Sequence, residues 1–371
     1  MKKTLFLALF AVLFSCHPKP SIGISVPEAV VQADTIHFTP PKNIILMIGD
    51  GMGITEITAG MYLNSNKLNL EQFQYIGLHK TYSNNNVVTD AAAGTSAIAC
   101  GKKTNNGYIG VDKKGKVVEN ILEEAKQNGF ATGIVTTSSL TRATPACFYS
   151  HQKSEVMTEK IAADLLKSNL DFFIGGGKKD FDKQKLIDKF KEKGYSIATY
   201  LDKDFNFSNI DPADKFGYFT AEADPEESRD YFLLAVNAAI SYLPKQPENG
   251  FFLLINDAQI GKGGQMNNSN YITEKMKEFD KAIGAIMDFA KKDGETLVLV
   301  TANQETGGYA INPASSVDTI FAAFTTDKNT APLIPLFAWG PGEELFGGIY
   351  ENTSIYDRMR RALGFRKAII Q

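Results

Sequence analysis

Histidine is scarce in this chain: His17, His37, His79 and His151 are the four in 371 residues. The first two fall in a proline-bearing amino-terminal stretch, which leaves His79 and His151 for the folded body. Each stands without a second ligand at helical or hairpin spacing. Each therefore reads as a structural or surface histidine, and a metal site built from three imidazoles is excluded. Cysteine is rarer still, at three with Cys16 near the amino terminus. Cys100 and Cys147, on separate segments, are too few for a fold held by disulfides; they either pair in an oxidising compartment or sit free in the core, and two buried free thiols is the reading preferred. Positive charge is not in excess either: 39 Lys and Arg stand against 42 Asp and Glu, a net charge of −3. There is no basic field to hold nucleic acid.

What is present begins with an export signal. Lys2 and Lys3 precede an apolar run from Leu5 to Phe14, too short to span a bilayer but suited to the middle of a signal peptide over residues 1–15. Without those two lysines the net charge is about −5. Leu13-Phe14-Ser15-Cys16 resembles a bacterial lipobox, in which the cysteine is lipidated and becomes the first mature residue. An ordinary cleaved signal is the alternative. Residues 16–40, with Pro18, Pro20, Pro27 and Pro40, read as a tether, and 41–371 as one domain. The implied location is the cell envelope, with the chain held to a membrane through a lipid anchor on Cys16, facing the periplasm or the cell surface.

Apolar runs recur through the body: IILMIG at 44–49, ATGIVTT at 131–137, FFLLI at 251–255, TLVLVT at 296–301 and LIPLFAWG at 333–340. Runs without alternation indicate strands covered on both faces. The fold class is therefore α/β, a central, mostly parallel sheet sandwiched between helices in three layers. Ile272, Met276, Phe279, Ile283, Ile286, Met287 and Ala290 recur at helical spacing, which predicts a helix over 270–292. Residues 178–230 are more polar and less regular, and read as an insertion or an excursion from the sheet. Gly175-Gly176-Gly177 lacks a following lysine-serine pair and reads as a strand-end turn.

Ligands of open α/β sheets gather beyond the carboxyl ends of the strands. There the chain carries IGDGMG (48–53), TDAAAG (89–94), KTNNGYIGVD (103–112), ATPA (143–146), TANQETGG (301–308) and FAWGPGEELF (337–346). In this order the stretches resemble the alkaline phosphatase family, from Asn43 to near Arg360. The resemblance implies hydrolysis of phosphate monoesters by a serine nucleophile, through a phosphoserine, with two zinc ions and usually one magnesium.

Position by position, the chain departs from that pattern. Ala91 stands at the nucleophile and Glu155 at the phosphate-clamping arginine. Asn256 replaces a magnesium carboxylate, Gly261 a zinc carboxylate and Gln265 a zinc histidine. Asn303 and Gln304 replace a zinc aspartate and histidine, Asn329 the last zinc histidine, and Arg142 a magnesium-shell residue. Only Asp50 and Thr144 of the family's ligands survive. Amides preserve size and hydrogen bonding while deleting metal affinity. Neither a catalytic residue nor a zinc or magnesium cofactor is expected.

A buried Asp50 then needs another neutralising group. Arg142, with Lys262 as a further cation, is the candidate, pairing with Asp50, Glu155 or both; otherwise Arg142 points to solvent. Thr95 and Ser96 read as helix residues rather than substitute nucleophiles, and Thr89-Asp90 as a helix start. The function this supports is a non-catalytic pseudophosphatase that binds an unknown small anion or a protein partner. An active phosphomonoesterase with rewired ligands and a structural or interaction lipoprotein are the alternatives. The family resemblance also suggests a homodimer.

Overall fold

In β1 (Asn43–Gly49), Ile44, Leu46 and Ile48 enter one core while Ile45 and Met47 enter another, all fully buried. A strand covered on both sides has no polar face to show, so its sequence reads as a continuous apolar run. The computed structural model of the chain describes residues 38–202, 206–225, 231–246 and 249–365. The signal segment, Cys16 and nearly all of the tether lie outside the described residues.

The chain continues through β2 (Tyr75–Lys80), β3 (Ala131–Ser139), β4 (Phe172–Gly176), β5 (Tyr195–Thr199), β6 (Lys215–Phe219), β7 (Phe251–Asp257) and β8 (Thr296–Thr301). Four short strands follow: β9 (Glu305–Thr306), β10 (Tyr309–Ile311), β11 (Ala322–Phe324) and β12 (Asn329–Thr330). Last come β13 (Ile334–Trp339) and β14 (Gly348–Glu351). Ten strands make one sheet in the order β14-β2-β13-β8-β1-β7-β3-β4-β6-β5, and β9 pairs with β12, β10 with β11. Among the described residues of the ten-stranded sheet, only β13 runs antiparallel to its neighbours, β2 and β8. The predicted α/β sandwich is thus observed.

One face is covered by α2 (Ala91–Cys100), α3 (Ile121–Gln127), α4 (Ala143–Ala146), α5 (Thr158–Ser168), α6 (Lys178–Asp182), α7 (Leu186–Glu192) and α11 (Thr353–Ala362). The other face carries α1 (Ile54–Tyr62), α8 (Tyr231–Tyr242), α9 (Gln259–Gln265) and α10 (Ser269–Asp293). Helix α10 starts where Asn268 Oδ1 accepts from the Tyr271 amide at 3.0 Å and stops at Gly294, whose φ of 73° is left-handed. All seven apolar residues predicted on its inner stripe are fully buried. Each large side chain among them contributes about 1.5–3 kcal/mol of burial against the entropy of ordering.

Residues 178–230 correct the reading of that segment as an excursion. They supply β5 and β6, which extend the sheet in parallel beyond β4. The Gly175-Gly177 stretch is a strand-end turn, with Gly177 at φ 88°. His79 is buried on β2, its Nε2 3.0 Å from Thr301 Oγ1, and burial pushes it down to about 3, so it is neutral. His151 bridges Gly110 O at 2.6 Å and Glu123 Oε1 at 2.8 Å. Both histidines are structural. Cys100 and Cys147 are free and buried, and burial pushes the Cys147 thiol up to about 12.

Candidate functional site

Four segments at the carboxyl ends of neighbouring central strands meet on one carboxylate. Asp50 leaves β1 in a turn that approaches α9 so closely that a Cβ on Gly51 would lie 2.5 Å from the Gly261 Cα. From α4, which follows β3, Thr144 Oγ1 lies 3.0 Å from both Asp50 oxygens. From β7, Asn256 Nδ2 donates to Asp50 Oδ1 at 3.1 Å, and from the turn after β8, Asn303 Nδ2 does so at 2.9 Å. The Asn303 amide nitrogen also reaches Thr95 Oγ1 at 3.1 Å and Thr144 Oγ1 at 3.0 Å.

These contacts replace the predicted cation. Arg142 is exposed and reaches neither Asp50 nor Glu155; its Nε lies 3.3 Å from Asp224 Oδ2. The expectation of an Arg142 pair with Asp50 or Glu155 is therefore corrected. Asp50 is satisfied by a hydroxyl and two amides, which hold its carboxylate form only in part. Burial dominates and, with the nearby Asp257 charge, raises it to about 7, while Thr144, Asn256 and Asn303 pull the other way. A neutral carboxyl at moderate pH needs no counter-ion.

Ala91 is the first residue of α2 and is partly exposed. The helix start is intact. Asp90 Oδ1 accepts from the Ala93 amide at 2.8 Å, and its Oδ2 accepts from the Gly107 amide. Thr95 is committed to Asn303, while Ser96 Oγ lies 3.2 Å from Tyr108 O and accepts from the Gly110 amide at 3.0 Å. Neither is placed as a substitute nucleophile. Glu155 donates its backbone amide to Gly107 O at 2.8 Å. Burial and then the Asp90 charge push its carboxyl up, against a weaker pull from Arg142.

The other predicted positions divide. Gly261 packs on the Asp50 turn, where a Cβ would meet the Asp50 carbonyl oxygen at 2.9 Å. Gln304 is buried beside Asn303, and its Oε1 has no partner among the described residues. Gln265 and Asn329 lie apart from Asp50's contacts and line a polar cavity of about 570 Å³ with Asn86, Thr89 and Asn106. Asn329 is pinned on β12, accepting from Thr306 Oγ1 at 3.0 Å and donating to Thr89 O at 3.0 Å. Among the described residues no three His, Cys, Asp or Glu side chains converge as metal ligands. The donors present do not fit a zinc pair, since amide N–H groups face the one carboxylate.

Two features escaped the sequence reading. Asp257, next to Asn256, is buried on the opposite face of β7, accepting from Thr137 Oγ1 and the Gln259 amide, both at 2.9 Å; burial raises it to about 6. Strand alternation was the available signal. Glu56 and Glu305 are buried together over Gly53, and burial followed by the Glu305 charge holds Glu56 well above the usual carboxylate range. Nothing in the spacing marked that pair.

Comparison with known proteins agrees with the geometry. The alkaline phosphatase family model matches residues 41–332. Alkaline phosphatase 3 of Bacillus subtilis is 36% identical over 84% of this chain and 71% of its own length. The Escherichia coli alkaline phosphatase is 28% identical over 91% of this chain and 89% of its own. The structure of alkaline phosphatase from the Antarctic bacterium TAB5 superposes with a TM-score of 0.83 at 38% identity, covering 89% of this chain and 100% of its own. A variant of that enzyme, 39% identical, has Mg bound in its M3 site. That finding overturns the expectation of no cofactor, since a relative 39% identical to this chain holds Mg. Motif order, strand order and these relatives agree, and the chain belongs to the alkaline phosphatase family.

Proposed function

We propose that this member of the family binds ligand in its pocket without hydrolysing phosphate monoesters. The observation that carries the reading is Ala91 at the head of α2. The helix cap, the Asp50 turn and Thr144 are all kept, while the side chain that would attack phosphorus is a methyl group. Glu155 reinforces it, because a carboxyl stands where the resemblance puts an arginine, and a phosphate dianion would meet like charge there. The hydroxyls of Thr95, Ser96 and Thr144 are engaged with Asn303, backbone and Asp50, and among the described residues no histidine hydrogen-bonds to them to accept a proton.

A divalent cation fits this reading as a magnesium-type ion. Asp50 and Thr144 are hard oxygen donors, and Asn256 and Asn303 could add amide oxygens by turning over. A bound cation would supply the positive charge that admits a small anion; a protein partner is the other ligand class. The envelope location, the Cys16 lipid anchor and a homodimer belong to the same proposal. No helix among the described residues is long and apolar enough to cross a membrane, and Cys16→Ala should release the protein from the membrane fraction.

Calorimetric titration with magnesium chloride tests the binding half. Saturable heat, abolished by Asp50→Asn, is expected. Absence of heat in the native chain, or equal heat in the variant, overturns it. Hydrolysis of a generic phosphomonoester tests the other half.

A further inference from the structure

A second cavity, about 920 Å³, opens beyond the carboxyl ends of β5 and β6. Its size is in the range that takes small ligands. Tyr200, Tyr231 and Tyr271 line it, and they come from three separate elements: the turn after β5, the head of α8 and the first turn of α10. Tyr271 is fixed by donating its hydroxyl to Gln259 Oε1 at 2.7 Å, and Tyr200 by donating to Glu222 Oε2 at 3.1 Å. Held rings of this kind offer flat apolar faces beside polar groups.

The polar part of the lining is prearranged. Asp224 accepts from the Ser139 amide at 2.6 Å and lies 3.3 Å from Arg142 Nε. Its position is therefore set before any ligand arrives, with lone pairs left to accept hydroxyl hydrogens. Thr220 also lines the cavity; it is 7% exposed, and its Oγ1 has no hydrogen-bond partner among the described residues. Charge is balanced: Glu222 and Asp224 stand with Lys262 and the neighbouring Arg142. A balanced set disfavours phosphate and other strong anions relative to a neutral molecule with many hydroxyls.

We propose that this cavity binds a neutral saccharide, with pyranose C–H faces on the tyrosine rings and hydroxyls on Glu222 and Asp224. None of the side chains that touch the Asp50 carboxylate lines this cavity, and Arg142, which leaves Asp50 alone, holds Asp224 of its wall.

Saturation-transfer difference NMR on the full chain tests this, with maltose, cellobiose and N,N′-diacetylchitobiose as separate probes and inorganic phosphate as competitor. Transfer to ring C–H protons of at least one disaccharide is expected, undiminished by phosphate. Tyr271→Ala should weaken that binding about tenfold. Asp224→Asn, which keeps the shape, should weaken it roughly fivefold. Circular dichroism confirms that both variants are folded, and Tyr200→Ala replaces either one that is not. The proposal is overturned if no probe receives transfer, if phosphate displaces the sugar, or if folded variants bind as tightly as the native chain.

Discussion

Asn303 Nδ2 lies 2.9 Å from Asp50 Oδ1 and 3.0 Å from Thr144 Oγ1, so an amide donates to the surviving carboxylate where the family resemblance puts an aspartate. Thr144 and Asn256 complete the ring around Asp50. The pocket is a hydrogen-bonded polar core centred on one acid whose charge is disfavoured.

That acid should give stability a pH dependence of known sign. Its pKa is about 7 in the native state against an ordinary 3.8, so the folded chain binds the extra proton between those values. The stabilisation is complete below about pH 4, is lost as pH rises toward 7 and is flat above. Urea unfolding in chelator at pH 5 and pH 8 should show the native chain losing about 2–3 kcal/mol more than Asp50→Asn. Asp257, raised to about 6, leaves a residual slope in both proteins. Equal losses would show that Asp50 is not buried as described.

The Asp90 cap can be separated from its charge. Asp90→Ala removes the acceptor for the Ala93 and Gly107 amides and should cost about 1–2 kcal/mol. Asp90→Asn keeps the acceptor for the Ala93 amide and removes repulsion with Glu155 but turns an N–H on the Gly107 amide, so its urea midpoint at pH 8 should fall between those of the native chain and Asp90→Ala. Equal destabilisation by both variants would contradict the assignment.

Cys100 and Cys147 are buried thiols raised by desolvation, and the thiolate is the reactive form. Iodoacetamide followed by peptide mass spectrometry should leave both unmodified in the native chain and alkylate both in denaturant. Rapid native labelling of either would show that the α2–α4 packing opens.

The central strands were legible because burial on both faces leaves an unmistakable apolar run, and α10 because seven apolar residues repeat at 3.6 spacing. Strands β5 and β6 were not legible: YSIAT, at the sheet's edge, and KFGYF, next to it, are short segments of mixed exposure, with neither a continuous apolar run nor a clean alternation. Motif order located the Asp50 pocket, since Thr144, Asn256 and Asn303 each follow or end a central strand. Arg142's partner was hidden because Asp224 lies far along the chain, after β6, and only the sheet order brings them together. The cofactor expectation failed for a different reason. Lost ligands can be counted in a sequence, but what a surviving carboxylate and hydroxyl still attract depends on their environment.

Steady-state hydrolysis of p-nitrophenyl phosphate at alkaline pH, with zinc and magnesium supplied, tests the central claim most directly. Release of p-nitrophenol at the rate of the protein-free control is predicted, for the native chain and for Ala91→Ser alike. Turnover on the order of 1 s⁻¹ or faster, the ordinary enzymatic range, by the native chain would contradict it.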